Sequence, residues 1–278
     1  MEDPLHRFFQ RLSINNNPGW IFILPSLGLI ALLGLPLLAL VWRAIGKDFF
    51  NYALSPTALT ALKLSLLTST ATVLVAIATG TPLAYILARW KFRGKNALEL
   101  LVELPVVLPP AVAGLALLVA FGRTGVFGFW LNAIGISLPF TTVAVVMAQT
   151  FVSAPLFVGA AREGFAEIDD QIVEAATVEG ANEWQVFRFI MFPLAGRAFL
   201  TGLILTWARA LGEFGATILF AGNLEGKTQT MPLAIYLGFE TQLGIAIALS
   251  VMLMVVSIVL LGLMRRLEHR SNVDTHPE

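Results

Sequence analysis

Six long apolar runs account for most of this 278-residue chain. Each is long enough to cross a bilayer as a helix, which takes about 20 mostly apolar residues. A soluble chain carries about 25% charged residues, whereas this chain carries 13%. The sequence therefore predicts an all-α membrane protein with six transmembrane helices, over Trp20–Trp42, Ala58–Ala88, Leu98–Phe121, Leu138–Ala161, Ala198–Ala221 and Gly244–Met264.

The residue types available exclude several classes of function. Cysteine is absent, and the three histidines, His6, His269 and His276, lie in the polar ends of the chain. The apolar runs thus lack the thiolate and imidazole groups that catalysis and metal binding commonly use. The 18 basic and 18 acidic residues balance, which gives no charge-based case for a nucleic-acid partner. There is also no GxxxxGK(S/T) phosphate loop. We predict no catalytic site, no metal site and no cofactor bound by this chain.

The distribution of basic residues predicts the orientation, because cytoplasmic loops are enriched in lysine and arginine. With the N-terminus inside, twelve of the 18 basic residues fall in inner segments, and the outer loops hold four, Arg43, Lys47, Arg123 and Lys227. We therefore predict that both termini are cytoplasmic. The predicted organisation is a tail over residues 1–19, an extra first helix with its outer loop over 20–57, a five-helix core over 58–264 and a second tail over 265–278.

The connection between Arg162 and Arg197 is the one long inner loop, and it carries seven acidic residues. Ile168, Ile172 and Ala176 are four residues apart, a spacing that predicts one apolar stripe along a helix. Periodicity alone fits a solvated loop at the headgroup boundary equally well. Interfacial anchors, however, are usually basic on their polar face, so the acidic character favours a protein partner over lipid.

Local signals divide this loop into two short amphipathic helices. Gly180 is a plausible helix terminator, because glycine readily adopts the left-handed conformation that follows many helices. Asn182 then offers an N-cap, and Gln185 stands three residues later, as in a capping box. Pro193 marks the entry to the next span.

These residues resemble a known signature. Glu174, Ala175, Ala176, Gly180, Ile190 and Pro193 reproduce the EAA–x3–G–x9–I–x–L–P pattern of bacterial ABC-importer permeases, with Phe192 in place of the usual leucine. The resemblance implies a type I ABC-importer permease fold, in which this loop forms coupling helices that dock on ATP-hydrolysing subunits. It further implies two such ATP-binding subunits, which would bind the ATP and magnesium.

A second resemblance bears on the substrate. Three stretches are similar to permeases of the molybdate, tungstate and sulfate/thiosulfate branch: residues 209–216 (RALGEFGA), 220–223 (FAGN) and 104–110 (LPVVLPP). The stretch 227–236 is more similar to the molybdate permeases. The resemblance implies a bacterial inner-membrane importer of molybdate or tungstate, with a second permease copy as a homodimer and an extracytoplasmic oxyanion-binding protein. The extra first helix is typical of sulfate permeases, so sulfate or thiosulfate remains the alternative.

Two charged residues fall deep within the fifth apolar run. Arg209 lies about 11 residues into it, near the midplane at 1.5 Å per residue, and charges at that depth are costly. Glu213 follows four residues later, at the spacing of an ion pair on one helical face. The pair fits either an oxyanion path lined by Arg209 or a purely structural contact. Gly212 and Gly215 flank Glu213 and predict a close helix approach.

Prolines interrupt the start of the third run. Pro105, Pro109 and Pro110 predict that its first turns are not a regular helix. They fit a bend that lines the pathway or its gate and, equally, a kink required for packing. Glu99 and Glu103 stand one turn apart just before them.

A secondary transporter or channel is the first competing class, and an intramembrane enzyme is the second. Secondary transporters often use inverted repeats and coupling carboxylates. We find no clear repeat and no aspartate within any run. Neither class accounts for the signature in the acidic loop.

Overall fold

A computed structural model describes residues 19–46 and 48–273, and every regular segment in those ranges is helical. The chain divides into two units. The first, which ends at Gly46, contains α1 (Gly19–Ala44), a helix with Pro25 and Pro36 inside it and with mostly exposed side chains. The predictions for the terminal segments 1–18 and 274–278 lie outside the described residues.

The second unit contains all the other helices. Its first half comprises α2 (Phe49–Ala53), α3 (Pro56–Arg89), α4 (Lys95–Val107), α5 (Pro110–Phe121), α6 (Gly128–Ala133) and α7 (Thr142–Ala166). Its second half begins with α8 (Asp170–Val178), α9 (Glu183–Val186), a π-helical turn (Phe187–Met191) and α10 (Phe192–Leu194). It ends with α11 (Gly196–Leu211), α12 (Gly215–Phe220), α13 (Met231–Thr241) and α14 (Leu243–Val273).

Four described helices are long and apolar enough to cross a membrane singly: residues 22–44 of α1, all of α3 and α7, and residues 243–263 of α14. Two further candidates are broken. The chain bends by 117° between α4 and α5, and by 67° between the segment Glu183–Leu194 and α11. The described residues thus contain four to six candidate crossings. The prediction of one continuous helix was wrong for the fifth run, because α11 ends at Leu211, whereas the predicted interruption of the third run by prolines is present.

The predicted irregularity at the start of the third run was also wrong in its position. Helix α4 continues regularly through Pro105 to Val107, and the break falls at Leu108 and Pro109. Pro110 then occupies the first turn of α5, where its missing N–H costs nothing because no acceptor precedes it. One proline is therefore accommodated within a helix, and the next two separate two helices.

Small residues allow α3, α7 and α11 to pack closely at the centre of the second unit. A Cβ atom on Gly80 would lie 2.8 Å from the ring of Phe157. A Cβ atom on Gly202 would lie 3.2 Å from the Cα atom of Phe157. Phe157 of α7 is completely buried between these two glycines. Close backbone approach of this kind is the usual basis of helix association in membranes.

Helix α13 corrects the interpretation of the outer segment near Lys227. The sequence indicated a loop there, but Met231 and Leu233 are fully buried, and α13 packs between α3 and α14. The preceding turn is equally well packed. Thr228, Gln229 and Thr230 are buried, and the Thr228 hydroxyl accepts a hydrogen bond from Leu224 N–H at 2.9 Å.

Candidate functional site

The predicted turn at Gly180 is present and has a defined geometry. Asp169 is the N-cap of helix α8, and its carboxylate accepts a hydrogen bond from Gln171 N–H at 2.9 Å. The helix ends in a Schellman turn: Gly180 N–H donates to the Thr177 carbonyl, and Ala181 N–H donates to the Ala176 carbonyl, both at 3.0 Å. Gly180 has a φ of +93°, a conformation that glycine adopts without steric penalty.

The predicted capping box at the start of α9 is confirmed. The side chain of Asn182 accepts a hydrogen bond from Gln185 N–H at 2.9 Å, and the side chain of Gln185 accepts one from Asn182 N–H at 2.8 Å. The Schellman turn and the capping box are only one residue apart. Together they fix the angle at which the second short helix leaves the first.

The residues on the packed face of α8 differ from those of the predicted apolar stripe. Val173 and Ala176 pack against the cluster that contains Phe165. Ile172 is instead 46% exposed, so its predicted place in the packed stripe was wrong. The outward face presents Glu174 and Ala175, together with Val178, which is 88% exposed. The two alanines of the signature therefore point in different directions.

An arginine that sequence reasoning missed ties α8 to the long helix α3. Arg89, the last residue of α3, forms an ion pair with Asp170 and donates a hydrogen bond from Nη2 to the Ile168 carbonyl at 2.8 Å. The Arg89 side chain is largely buried, whereas Asp170 is exposed. The partners are about 80 residues apart in sequence, and no local pattern links them.

Replacing Arg89 with glutamine is expected to loosen α8 without unfolding the rest of the unit. A hydrogen bond from a charged group is worth about 1.5–3 kcal/mol, and the exposure of Asp170 reduces the value of this pair. Amide hydrogen exchange over residues 170–178 should accelerate by about tenfold, which corresponds to about 1.4 kcal/mol of local stability. The matched control is Arg93→Gln, since Arg93 is exposed. Equal protection in both variants would contradict the tie.

Ile190 and Pro193 lie at the junction between the loop and α11. Ile190 is within the π-helical turn, and Pro193 is exposed in α10 immediately after it. Proline cannot donate to the preceding turn, which explains why the regular ladder is disturbed here. Phe187 anchors this junction through edge contacts with Tyr85, with ring centroids 5.3 Å apart.

Glu99 and Glu103 have a partner that the sequence did not indicate. Nη1 of Arg162, near the end of α7, lies 3.2 Å from Oε1 of Glu99 and 3.8 Å from Oε1 of Glu103. The two carboxylates thus attach α4 to the helix that leads into the loop. Among the described residues, no three acidic or histidine side chains come together as metal ligands.

The predicted ion pair between Arg209 and Glu213 is present, but Glu213 lies outside the helix. Helix α11 ends at Leu211, and Glu213 occupies the break before α12. Nη1 of Arg209 lies 2.6 Å from Oε2 of Glu213, although the two groups are not aligned for a hydrogen bond. The Glu213 side chain is 1% exposed and the Arg209 side chain 34% exposed. The carboxylate is therefore buried, and its cationic partner keeps one accessible side.

Glu213 has a second function within the fold. Its Oε1 accepts a hydrogen bond from Ala216 N–H at 2.8 Å, so the same carboxylate binds both sides of the break. Of the two flanking glycines, Gly215 meets the predicted close approach, since a Cβ there would lie 2.6 Å from Cβ of Pro110. For Gly212 the prediction was wrong, because a Cβ there would meet only the Ala208 carbonyl, at 3.6 Å.

A row of buried hydroxyl residues along α3, which forms hydrogen bonds with α7, α11 and α13, was also missed. Thr72 donates to Oε1 of Gln149 at 3.1 Å, and Nε1 of Trp207 donates to the hydroxyl of Ser69 at 2.8 Å. Ser65 accepts from Met231 N–H at 2.7 Å. The hydroxyl residues of α3 recur every three or four positions, which is a helical period. That period was the available sequence signal.

The long apolar helices and the broken spans are those of a multi-pass membrane protein. Residues 80–273 match the family described as "Binding-protein-dependent transport system inner membrane component". The chain belongs to this family, which decides against a secondary transporter, a channel or an intramembrane enzyme.

Three curated relatives illustrate the similarity. The molybdenum transport system permease protein ModB of Mycobacterium tuberculosis is 44% identical over 88% of this chain and 93% of its own length. The probable transport system permease protein NifC of Clostridium pasteurianum is 39% identical over 83% of this chain and 81% of its own length. The probable sulfate transport system permease protein cysT of Chlorokybus atmophyticus is 34% identical over 82% of this chain and 81% of its own length.

A solved structure supports the fold. A chain in the crystal structure of a bacterial ABC transporter involved in alginate import aligns with a TM-score of 0.76, over 96% of this chain and 99% of that chain. At 19% sequence identity, this similarity concerns the fold alone.

Proposed function

We propose that this chain is the permease subunit of an ATP-driven importer that translocates molybdate or tungstate delivered by an extracytoplasmic binding protein. The observation that carries the proposal is the 44% identity to a molybdenum permease across 93% of that protein. Sulfate or thiosulfate is the second candidate. It is supported by the 34% identity to the sulfate permease relative and by the apolar first helix α1.

The proposed assembly contains two copies of this permease and two ATP-binding subunits that hold ATP and magnesium. The outward face of α8, with Glu174, Ala175 and Val178, is the surface proposed to enter the ATPase groove. Its small and apolar side chains permit a close approach, and Arg89 and the turn at Gly180 hold it in place. This chain supplies no ATP site of its own.

We also propose which residues form the gate of the translocation pathway. Arg209 and Glu213, with Gly212 beside them, lie at a break where the backbone leaves its helix, and Pro105, Pro109 and Pro110 surround the second break. Irregular backbone at membrane depth is tolerated where protein buries it or where it lines a cavity. The close contact of Gly215 with Pro110 brings the two breaks together. This meeting point is the proposed gate.

Reporter fusions are expected to place Lys95 and Gly196 on the cytoplasmic side and Arg123 and Lys227 outside. The reason is the excess of basic residues in the segments assigned to the inside. Alkaline phosphatase and green fluorescent protein fusions at each position measure this directly. An external Gly196 would remove α8 from the side where ATP is hydrolysed and would contradict the coupling role.

Molybdate-loaded binding protein is expected to stimulate ATP hydrolysis by the purified, reconstituted complex more than sulfate-loaded binding protein does. In this proposal the binding protein selects the anion, and the permease responds to the loaded form. The measurement is the ATPase rate with binding protein loaded with molybdate, tungstate or sulfate, with unloaded protein as control. Greater stimulation by sulfate would favour the second candidate.

A further inference from the structure

A pocket of about 390 Å³ lies between the end of α3 and the start of α9, and none of the signature residues of the coupling loop lines it. Its walls combine four aromatic rings, two aliphatic side chains and a single carboxylate. The lining residues are Pro82, Tyr85, Ile86, Trp90, Glu183, Trp184 and Phe187. The volume lies in the range typical of sites for small ligands, about 300–1,000 Å³.

Helix length places this pocket at the membrane surface. Helix α3 has 34 residues, which span about 51 Å at 1.5 Å per residue, whereas the hydrocarbon core is about 30 Å thick. The residues that line the pocket, from Pro82 to Trp90, are the last two turns of α3 and the residue that follows. Tryptophan is enriched at this level of the bilayer, and both Trp90 and Trp184 are exposed.

The aromatic walls are held in place by contacts within the chain. The rings of Trp184 and Phe187 stack with centroids 5.7 Å apart, and Phe187 meets Tyr85 edge to face at 5.3 Å. The capping box at Asn182 fixes the first turn of α9, where Glu183 lies. The pocket is therefore preformed and needs no reordering to accept a ligand.

The chemistry of the walls selects a cation. Aromatic faces attract ammonium groups, and the carboxylate of Glu183 takes no part in the ion pairs formed by the described residues. Lys91 follows Trp90 in the chain and is exposed, and its positive charge would favour a ligand that carries a phosphate beside the ammonium. An ammonium joined to a phosphate at this depth is the headgroup of a zwitterionic phospholipid.

We propose that this pocket binds the headgroup of phosphatidylethanolamine from the surrounding leaflet. The primary ammonium donates a hydrogen bond to Glu183 and lies against the aromatic rings, while Pro82 and Ile86 contact the start of the acyl chains. A lipid fits better than a protein side chain because the pocket lies at the level proposed for the membrane surface, and because none of the signature residues from Glu174 to Gly180 lines it. The inference does not depend on which anion is transported.

Native mass spectrometry of the purified, delipidated permease tests the proposal by titration with phosphatidylethanolamine or phosphatidylglycerol. We expect one tightly bound phosphatidylethanolamine per chain and a loss of affinity of about tenfold in Glu183→Gln, an isosteric change worth one charge-assisted hydrogen bond. Glu179→Gln is the matched control, since Glu179 is an exposed acid of the same loop outside the pocket. Trp90→Leu should weaken binding as well.

Three outcomes would overturn the proposal. Equal affinity for phosphatidylethanolamine in Glu183→Gln and the unmodified chain would show that the carboxylate does not hold the ammonium. Equal binding of phosphatidylglycerol would show that the headgroup is not selected by its positive charge. Loss of ATPase co-purification in Glu183→Gln, with lipid binding unchanged, would assign the pocket to a cation from the partner protein.

Discussion

Replacing Gly180 with valine is expected to leave the permease in the membrane but to abolish coupling between ATP hydrolysis and uptake. A φ of +93° costs an ordinary L-residue about 1–2 kcal/mol, and a β-branched residue more. A Cβ atom at this position would have no neighbouring atom within 4 Å, so the penalty comes from the backbone conformation and not from crowding. The turn would open, and α8 would lose its fixed angle to α9.

The measurement is co-purification of the ATP-binding subunit together with uptake of labelled molybdate by cells. Gly180→Asn is the matched control, because asparagine tolerates positive φ better than other non-glycine residues, and it should retain most of the uptake. Normal co-purification and uptake in Gly180→Val would mean that this turn is not part of the coupling element.

The two alanines of the signature extend this prediction. On the outward face, Ala175→Trp should obstruct docking and lower ATPase co-purification by about tenfold, or about 1.4 kcal/mol. Ala176 faces the interior of its own chain, so Ala176→Trp should displace α8 from the cluster around Phe165 and also uncouple transport. Hydrogen exchange separates the two causes, since only Ala176→Trp should expose residues 170–178.

Replacing Arg209 with methionine is expected to impair assembly of the permease. The change leaves the Glu213 carboxylate, 1% exposed, without its cation. Breaking a buried pair typically costs about 3–5 kcal/mol, and the lower end applies here because Arg209 remains one-third exposed. The measurement is the yield and thermal stability of the detergent-solubilised protein.

The double variant Arg209→Met with Glu213→Gln distinguishes a structural pair from an anion path. Glutamine is neutral and retains an oxygen that can accept the hydrogen bond from Ala216, so assembly should recover. If the pair is only structural, uptake should recover with it, and this is the result that we expect. Normal assembly with poor uptake would instead assign Arg209 to the path of the anion.

The parts of the site that depend on local chemistry could be predicted from the sequence. The helix end at Gly180 and the capping box at Asn182 each involve residues within five positions of one another, so residue type and spacing are sufficient. The ion pair at Arg209 was predicted for the same reason. Its carboxylate nevertheless lies beyond the end of the helix. Gly212 is the local stop signal, but the sequence did not show that the helix ends there, because a single glycine is often tolerated within a helix.

The remaining features depend on what packs against each helix. Ile172 and Val173 are both apolar, and only the position of the cluster around Phe165 decides that Val173 turns inward. Arg89 meets Asp170 because the end of α3 lies beside the start of α8, which no spacing rule encodes. Likewise, Pro105 fits within α4 whereas Pro109 ends the regular hydrogen bonding, although both are prolines within the same apolar run.

The tie between Arg89 and α8 also has a mechanical consequence. Helix α3 runs without a break from Pro56 to Arg89, and a continuous helix transmits a push along its axis with little loss. We expect a displacement of α8 by a bound partner to reach the opposite end of α3 through Arg89. There Thr57 donates a hydrogen bond to Glu225 at 2.6 Å. Helix α3 thus connects the loop at one of its ends to the turn at the other within a single element.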